Sequence, residues 1–330
     1  MARAPRVRTR LTERFGLDVP LVGAPMAGVS GGELAGAVSA AGGLGMIGIG
    51  PGAEAGWVRD QVRAAAAPGA PYGAGLLAWA LDDRSDVVDA LLDGSAAAPP
   101  ALVSVSYGDY APYVTRLHAA GIAVATQVGT VADATAAEDA GVDVIVARGG
   151  EGGGHGRDAV ATLPLLQAVL ERVEVPVLAA GGVATARGLA AVLAAGAAGA
   201  WVGTAFLCSQ EAMTADPVAA HLGRVAETGT AYGTVFDTAS AAGWPAEFGG
   251  RAVRNEFFET WLGREVELAA DEAALRRFRS ARQAVDLGAM AVYAGQGVGL
   301  LDGTRRPAAE VVADLARAGE LLRDAAARVE

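Results

Sequence analysis

The chain has 330 residues, a hydrophobic fraction of 52% and a formal net charge of −11. This length and hydrophobic content predict a globular protein with a sizeable core, in one large domain or two ordinary ones. The acidic balance argues against nucleic acid or another polyanion as a partner, because such partners need a basic surface.

Two features of the composition narrow the chemistry. All 26 residues counted under Lys and Arg are arginine, so neither Schiff-base catalysis by a lysine amine nor a Walker A phosphate loop is available. The single cysteine, Cys208, rules out an internal disulfide and a multi-cysteine metal site, and it indicates a reducing compartment. We expect no metal.

The N-terminal segment has five arginines by Arg14 but no apolar core of a signal peptide. No run of about 18 apolar residues, long enough to span a membrane, occurs in the chain. We therefore interpret the segment as a solvated tail, and we expect a cytoplasmic protein without a membrane partner.

Eight short apolar runs recur along the chain, each followed by an alanine-rich segment with helical periodicity. They are continuously apolar rather than alternating, which is typical of parallel strands covered by helices. The runs are LVGAPM from Leu21, LGMIGI from Leu44, YGAGLL from Tyr72, ALVSVS from Ala101, IAVATQV from Ile122, VDVIVA from Val142, VPVLAAGG from Val175 and AWVGTA from Ala200. Eight such units predict an α/β protein with a closed (β/α)8 TIM barrel.

Glycines at four predicted helix ends support the barrel. Gly42, Gly121, Gly141 and Gly196 each follow an alanine pair or Asp-Ala, where a helix commonly ends on a left-handed residue. An open, doubly wound sheet is the alternative, and the count of eight units favours the barrel.

After Phe206 the pattern of strand and helix changes. We predict a barrel over residues 1–212, a helical and looped appendage over 213–290 at the barrel mouth, and a segment over 291–330 that returns to the barrel and ends in an amphipathic helix from Pro307. The appendage is rich in aromatic residues, which either line a substrate pocket or form a small core. They are Tyr232, Phe236, Trp244, Phe248, Phe257, Phe258 and Trp261.

Active sites of such barrels lie at the carboxyl ends of the strands. The sixth run leads into the glycine-rich loop ARGGEGGGHGRD, residues 147–158; the seventh ends in AAGG from Ala179 and the eighth in Gly203-Thr204. Loops after strands seven and eight frequently bind phosphate through backbone amides and a helix N-terminus. These three segments predict a phosphate site, with Arg148 and Arg187 as candidate cations.

His155 lies within that glycine-rich loop. An imidazole, with an ordinary pKa near 6.5, can serve as a general base at neutral pH, and Glu151 is another base in the loop. The alternative is that His155 only hydrogen-bonds a cofactor or the loop. His118 and His221 lie on predicted outer helices, where structural or solvated roles are expected.

The first and fifth strands offer groups for a flat ring system. The phrase GAPMAG, residues 23–28, bends the chain at the end of the first strand and exposes backbone beside the polarizable Met26. Gln127 ends the fifth strand, where its amide can donate to a cofactor or instead hold a loop.

Together these segments resemble the nitronate monooxygenase family, formerly the 2-nitropropane dioxygenases, which are FMN enzymes on a TIM barrel. The matching phrases span nearly the whole chain. They are APMAG at Ala24, AGGLG at Ala41, ARGGEGGGHG at Ala147, VLAAGGVATARGLAAVLAAGAAGAWVGTAF at Val177 and YAGQGVGL at Tyr293.

The resemblance implies FMN as the cofactor and a role for each matching residue. His155 corresponds to the catalytic base. The FMN phosphate would be held by Gly153, Gly154, Gly181, Gly182, Gly203 and Thr204; the isoalloxazine would be bordered by Ala24, Pro25, Met26 and Gln127; Gln296 would lie near the phosphate loops. Gly75 departs from the family, because many members have an asparagine there that meets the flavin, and Trp79 is a candidate to fill the space.

The implied reaction is oxidation of a nitronate, or of a nitroalkane after His155 removes its α-proton, with O2 to a carbonyl compound and nitrite. The partners would be a small-molecule substrate and O2, with a homodimer as a possible assembly. Three alternatives stay open: an enoyl-[acyl-carrier-protein] reductase that uses FMN and NAD(P)H, an isomerase or lyase without flavin that acts on a phosphorylated metabolite, and a catalytically silent flavin-binding barrel.

Overall fold

The computed structural model describes residues 7–82, 84–93 and 98–329. Eight parallel strands close into a barrel, which confirms the (β/α)8 prediction. They are β1 (Leu21–Gly23), β2 (Leu44–Gly48), β3 (Gly73–Leu77), β4 (Leu102–Ser106), β5 (Ala123–Val128), β6 (Val144–Arg148), β8 (Val177–Ala180) and β9 (Gly199–Val202), while β7 (Gly154–His155) lies outside the barrel in the loop after β6. The ring is closed because β1 pairs in parallel with both β2 and β9.

Helices cover the outside of the barrel and continue beyond it. They are α1 (Arg10–Phe15), α2 (Gly32–Ala40), α3 (Ala55–Ala66), α4 (Ser85–Leu92), α5 (Ala111–Ala119), α6 (Val131–Asp139), α7 (Thr162–Leu170), α8 (Ala186–Ala194), α9 (Asp216–Leu222), α10 (Val235–Ser240), α11 (Glu256–Trp261), α12 (Glu265–Ala270), α13 (Glu272–Ala284), α14 (Ala308–Ala316) and α15 (Ala318–Ala326). Short 3₁₀ helices span Ala78–Ala80, Thr204–Phe206 and Gln296–Leu300.

The predicted glycines do end barrel helices in the left-handed region. Gly42, Gly121, Gly141 and Gly196 have φ of 97°, 74°, 84° and 102°. A residue with a Cβ is strained in this region, so glycine lets each helix turn directly into the next strand.

Two layers of apolar side chains build the core. Inside the barrel, Val22, Met46, Leu102, Val146 and Trp201 are buried and pack on one another. A larger layer lies between the strands and the surrounding helices. The barrel interior is therefore a packed core, and only its mouth is free for a site.

The N-terminal segment is not simply a solvated tail. Residues 10–15 form α1, in which Leu11 is fully buried at the end of the barrel opposite the site, and Thr9 caps the helix. The helix has only six residues, so its two apolar side chains, Leu11 and Phe15, form too short a pattern for a periodic signal, which is why the sequence did not reveal it. Arg3 and Arg6 of the predicted tail lie outside the described residues.

A smaller structure is inserted between β9 and the end of the barrel. Its strands β10 (Thr230–Gly233) and β11 (Gly250–Val253) are antiparallel, and β7 pairs with β11 through His155 and Gly250. The helices α10 to α13 pack around Phe257 and Phe258. The glycine-rich loop thus joins the barrel to the inserted structure.

The C-terminal segment returns to the barrel as two helices, not the one predicted from Pro307. α14 occupies the eighth helical position and contacts α2 and α8. The amide of Arg317 donates to the carbonyl of Asp314, a tighter i to i−3 bond that separates α14 from α15.

None of the helices in residues 7–82, 84–93 and 98–329 has the length and hydropathy needed to cross a membrane.

Candidate active site

A cavity of about 690 Å³ opens at the carboxyl ends of the barrel strands, under the inserted structure. It brings together His155 and eleven of the twelve predicted cofactor residues. These are Ala24, Pro25, Met26, Gly75, Gln127, Gly153, Gly154, Gly181, Gly182, Gly203 and Thr204. Gln296 is the exception: its side chain is exposed, although its backbone amide donates to the carbonyl of Glu151 in the glycine-rich loop.

Two buried arginines fix the glycine-rich loop. Arg148, at the end of β6, donates to the carbonyls of Gly152 at 2.6 Å and Gly154 at 2.8 Å. Arg251, on β11, donates to the carbonyl of Gly150 at 2.6 Å and to Asp158 at 3.0 Å. Burial lowers the pKa of Arg148. These charge-assisted bonds hold the loop in place.

The arginines also explain part of the glycine content. A Cβ on Gly152 or Gly156 would lie 2.9 or 2.8 Å from Arg148 atoms, so the loop can wrap round the guanidinium only without side chains. The sequence analysis connected these glycines with a ligand, and for these two the reason is packing. Arg187, the other candidate cation, is exposed and does not line the cavity.

Other glycines at the strand ends face open space. Gly154 and Gly182 have φ of +72° and +71°; a Cβ on Gly154 would have no atom within 4 Å, and on Gly182 the nearest would be at 3.9 Å. Close by, Thr204 accepts a hydrogen bond from the amide of Gly295 at 3.0 Å. The first turn of α8 follows Gly182, so the arrangement offers backbone amides and a helix N-terminus to an anion.

His155 is enclosed on several sides. Its Nε2 lies 2.6 Å from Oδ1 of Asp237 on α10, and the two side chains are 9% and 11% exposed. Its ring is stacked on that of Trp244, with centroids 3.5 Å apart and planes 3° apart. Its carbonyl accepts a hydrogen bond from the Tyr107 hydroxyl at 3.1 Å. The imidazole is therefore held in one orientation.

Asp237 determines which ring nitrogen of His155 is free. An ionised carboxylate can only accept, so Nε2 carries the proton of this hydrogen bond and Nδ1 keeps its lone pair. The pKa of Tyr293 is raised, first by burial and then by the negative charge of Asp237 and a hydrogen bond to it. The Tyr293 hydroxyl therefore stays protonated beside the Asp237 carboxylate. The arrangement leaves Nδ1 as the basic nitrogen.

Sequence reasoning missed Asp237, Tyr293 and Tyr107. Asp237 lies 82 residues after His155, and nothing in its local pattern marks it. Tyr107 directly follows β4 with φ of 69°, unusual for a tyrosine, and burial raises its pKa to about 12. The available signal was position, because Tyr107 stands at the end of a barrel strand.

The aromatic residues of the inserted structure divide between the two predicted roles. Phe236 and Trp244 line the cavity, whereas Phe257 and Phe258 are buried in the core of the insertion. Trp79 does not line the cavity; its ring lies 5.2 Å from that of Trp244, so it does not fill space beside Gly75. His118 and His221 also lie outside the cavity, on α5 and α9.

Pro25 explains why residue 75 is glycine. A Cβ at Gly75 would lie 2.3 Å from Cγ of Pro25 and 2.5 Å from its Cβ. Non-bonded atoms do not approach this closely, so Pro25, two residues after β1, occupies the space that an asparagine side chain at position 75 would need.

We expect Gly75→Asn to destabilise the protein by about 1–3 kcal/mol, because overpacking must displace Pro25. Gly52→Asn is the matched control, since a Cβ there would have no atom within 4 Å, and a change within about 0.5 kcal/mol is expected. Urea unfolding of both variants measures the difference. If the two variants are equally stable, Pro25 can move aside without a measurable cost and the prediction is wrong.

Two comparisons with known proteins match this chain to the same family. The sequence model of the nitronate monooxygenase family matches residues 87–318. A nitronate monooxygenase from Paraburkholderia phytofirmans is 32% identical over 92% of this chain and 93% of its own length.

Other similar proteins carry different names. A curated relative from Rhodococcus jostii, (3aS,4S,5R,7aS)-5-hydroxy-7a-methyl-1-oxo-octahydro-1H-indene-4-carboxyl-CoA dehydrogenase, is 36% identical over 64% of this chain. The match covers 58% of that relative, so the chain spans less than two thirds of its length.

Solved structures agree over nearly the whole chain. FabK from Thermotoga maritima has a TM-score of 0.82 at 27% identity, covering 98% of this chain and 100% of that one. Nitroalkane oxidase from Streptomyces ansochromogenes has a TM-score of 0.79 at 30% identity, covering 96% and 99%.

Proposed function

This chain belongs to the nitronate monooxygenase family, a family of oxidoreductases, and we propose that it oxidises nitronates or nitroalkanes with O2 to carbonyl compounds and nitrite. FMN is the proposed cofactor and His155 the general base. The observation that carries the proposal is the position of His155, with an aspartate partner, in a cavity lined by two open, left-handed glycines, Gly154 and Gly182.

The residues of the cavity fit FMN. The open space at Gly154 and Gly182 is not needed for packing within the chain, so it can accept a phosphate. Gly153 and Gly181 differ, because a Cβ there would lie 2.5 Å from the Gly295 amide or 2.6 Å from Thr162. A volume of about 690 Å³ lies in the range of ligand pockets, about 300–1,000 Å³.

His155 would take the α-proton of a nitroalkane on Nδ1 and become an imidazolium. The carboxylate of Asp237, whose Oδ1 lies 2.6 Å from Nε2, stabilises that charge, and both side chains are nearly buried. Trp244 keeps the ring in place by stacking. When bound, FMN supplies the redox step between the substrate and O2.

The organisation of the chain supports this assignment. We propose residues 1–212 as the barrel unit, 213–290 as a lid that carries Asp237 and Trp244, and 291–330 as the return to the barrel. The separate apolar core of the inserted structure supports the division. A cytoplasmic location and a homodimer stay predictions.

We expect the purified protein to be yellow and to consume O2 with propionate 3-nitronate or nitroethane, without a requirement for NADH. An oxygen electrode, with and without NADH, makes the measurement. A yellow protein that takes up no O2 with any nitro substrate would contradict the proposed reaction, and a colourless protein that does not take up FMN would favour an isomerase or lyase.

The second candidate is the alternative left open by the sequence, a reductase that uses FMN and NAD(P)H, and the Rhodococcus jostii relative named as a dehydrogenase favours it. Anaerobic addition of NADH separates the two functions. Rapid bleaching of the flavin would support the reductase, and an unchanged flavin spectrum would support the monooxygenase.

A further inference from the structure

The cavity carries a charge opposite to that of the chain. Its ionisable lining residues, apart from tyrosines, are Arg148, His155, Asp237, Arg279 and Arg282. Three arginines stand against one aspartate, in a protein whose net charge is −11. The cavity therefore attracts anions that the rest of the surface repels.

The three arginines lie at different depths. Arg148 is 3% exposed and donates hydrogen bonds to carbonyls of the glycine-rich loop. Its guanidinium group therefore holds the loop and is not available to bind a ligand at the cavity mouth. Arg279 and Arg282 are exposed residues of α13. Because they are three positions apart, they share one face of the helix at the cavity mouth.

The pair at the mouth is weakly engaged by the protein. Arg282 donates to the carbonyl of Gly28, on the loop after β1, at 3.1 Å. Within residues 7–82, 84–93 and 98–329, no carboxylate lies within ion-pair distance of Arg282. Arg279 is 3.6 Å from the exposed Glu272. Both guanidinium groups keep donors for a ligand.

Apolar side chains line the cavity that contains this pair and His155. Phe278 and Val285 come from α13 and its end, and Phe236, Met290 and Val292 from neighbouring segments. A series of ring contacts leads from the base towards the arginines: the ring centroids of His155 and Tyr293 are 5.1 Å apart, those of Tyr293 and Phe236 6.5 Å, and those of Phe236 and Phe278 5.8 Å. Phe278 directly precedes Arg279 on α13, so a ligand that reaches from His155 to the arginines passes aromatic side chains.

We propose that the substrate is an elongated apolar molecule with an oxyanion at its far end, and that Arg279 and Arg282 bind this oxyanion at the cavity mouth. The inference rests on the proposed function, since it assumes that the reacting carbon lies at His155. The oxyanion is either a carboxylate of the substrate itself or a phosphate of a carrier such as coenzyme A; both suit a guanidinium pair.

Two nitronates of equal chain length test the carboxylate. The nitronate of 6-nitrohexanoate has a carboxylate at its far end and that of 1-nitrohexane has none. In the double variant Arg279→Gln/Arg282→Gln, we expect kcat/KM for the carboxylated nitronate to fall about tenfold, mainly through KM, and that for the alkyl nitronate to stay within about twofold. Arg276→Gln is the control, because Arg276 is exposed on α13 but does not line the cavity.

A binding measurement tests the phosphate source and does not depend on turnover. Coenzyme A and pantetheine are titrated against tryptophan fluorescence of the flavin-loaded protein. Tighter binding of coenzyme A than of pantetheine, lost in the double variant and retained in Arg276→Gln, supports a phosphorylated carrier. Equal binding, together with selectivity for the carboxylated nitronate, supports the carboxylate.

The inference and the proposed function fail in different ways. If nitronates are oxidised but the double variant treats both substrates like the wild type, and coenzyme A binds no better than pantetheine, the arginine site is overturned. If no nitronate is oxidised yet coenzyme A binding depends on the two arginines, the anion site stands and the reaction is wrong.

Discussion

His155→Ala is expected to lower turnover of nitroethane by about 10²–10⁴-fold, the usual contribution of a general base, and to leave turnover of preformed ethyl nitronate within about twofold. Nitroethane must lose its α-proton in the site, whereas the nitronate has already lost it. Parallel oxygen-uptake assays on the two substrates therefore separate proton removal from oxidation.

Controls for this variant address cofactor and fold. FMN content should match the wild type, since the glycines proposed to border the phosphate are unchanged. Thermal unfolding measures the stability lost with the buried contact to Asp237. His221→Ala is the matched histidine control, because His221 lies outside the cavity. Turnover by this variant should be unchanged with both substrates. Equal losses with nitroethane and its nitronate would remove the base role and assign His155 to cofactor or substrate binding.

The barrel was predictable because its signals are local and repeated. Each strand is a short apolar run, and glycines such as Gly42 and Gly196 mark helix ends that the structure places in the left-handed region. Position at a strand end then brought His155, Gln127 and Thr204 to one cavity. In a closed barrel, chain order fixes which residues meet at the mouth.

The partners of these residues were not predictable, because they come from distant segments. Asp237 and Tyr293 reach His155 only after the inserted structure folds back over the mouth. The same holds for Arg251, which holds Gly150 from 101 residues away. No periodicity or motif encodes such contacts.

The glycine-rich loop shows how one composition serves two purposes. Positions 152 and 156 are glycine because Arg148 occupies the space that a side chain would need. Gly154, in contrast, has a left-handed backbone and faces open space at the cavity. The loop needs no ligand to offset its flexibility, since buried arginines hold its carbonyls. A rigid loop places His155 before any substrate arrives, which lowers the entropic cost of reaction.

Asp237→Asn is expected to lower kcat for nitroethane by about 10²-fold, part of the gain from a general base, with KM changed by less than about threefold. An amide can donate to Nε2 as well as accept from it, so the variant admits the tautomer in which Nδ1 carries the proton and cannot act as a base. The loss should be accompanied by a larger isotope effect with 1,1-dideuterated nitroethane, because proton removal becomes more rate-limiting.

A merely structural role for Asp237 would give a different result. Asp237→Glu keeps an acceptor-only partner and should recover part of the lost kcat, while ethyl nitronate should be oxidised normally by all variants. Asp286→Asn is the control, since Asp286 pairs with Arg277 at 3.3 Å outside the cavity. Wild-type kcat and isotope effect in Asp237→Asn would contradict the positioning role. A 2.6 Å contact between two nearly buried groups makes the strong effect the expected one.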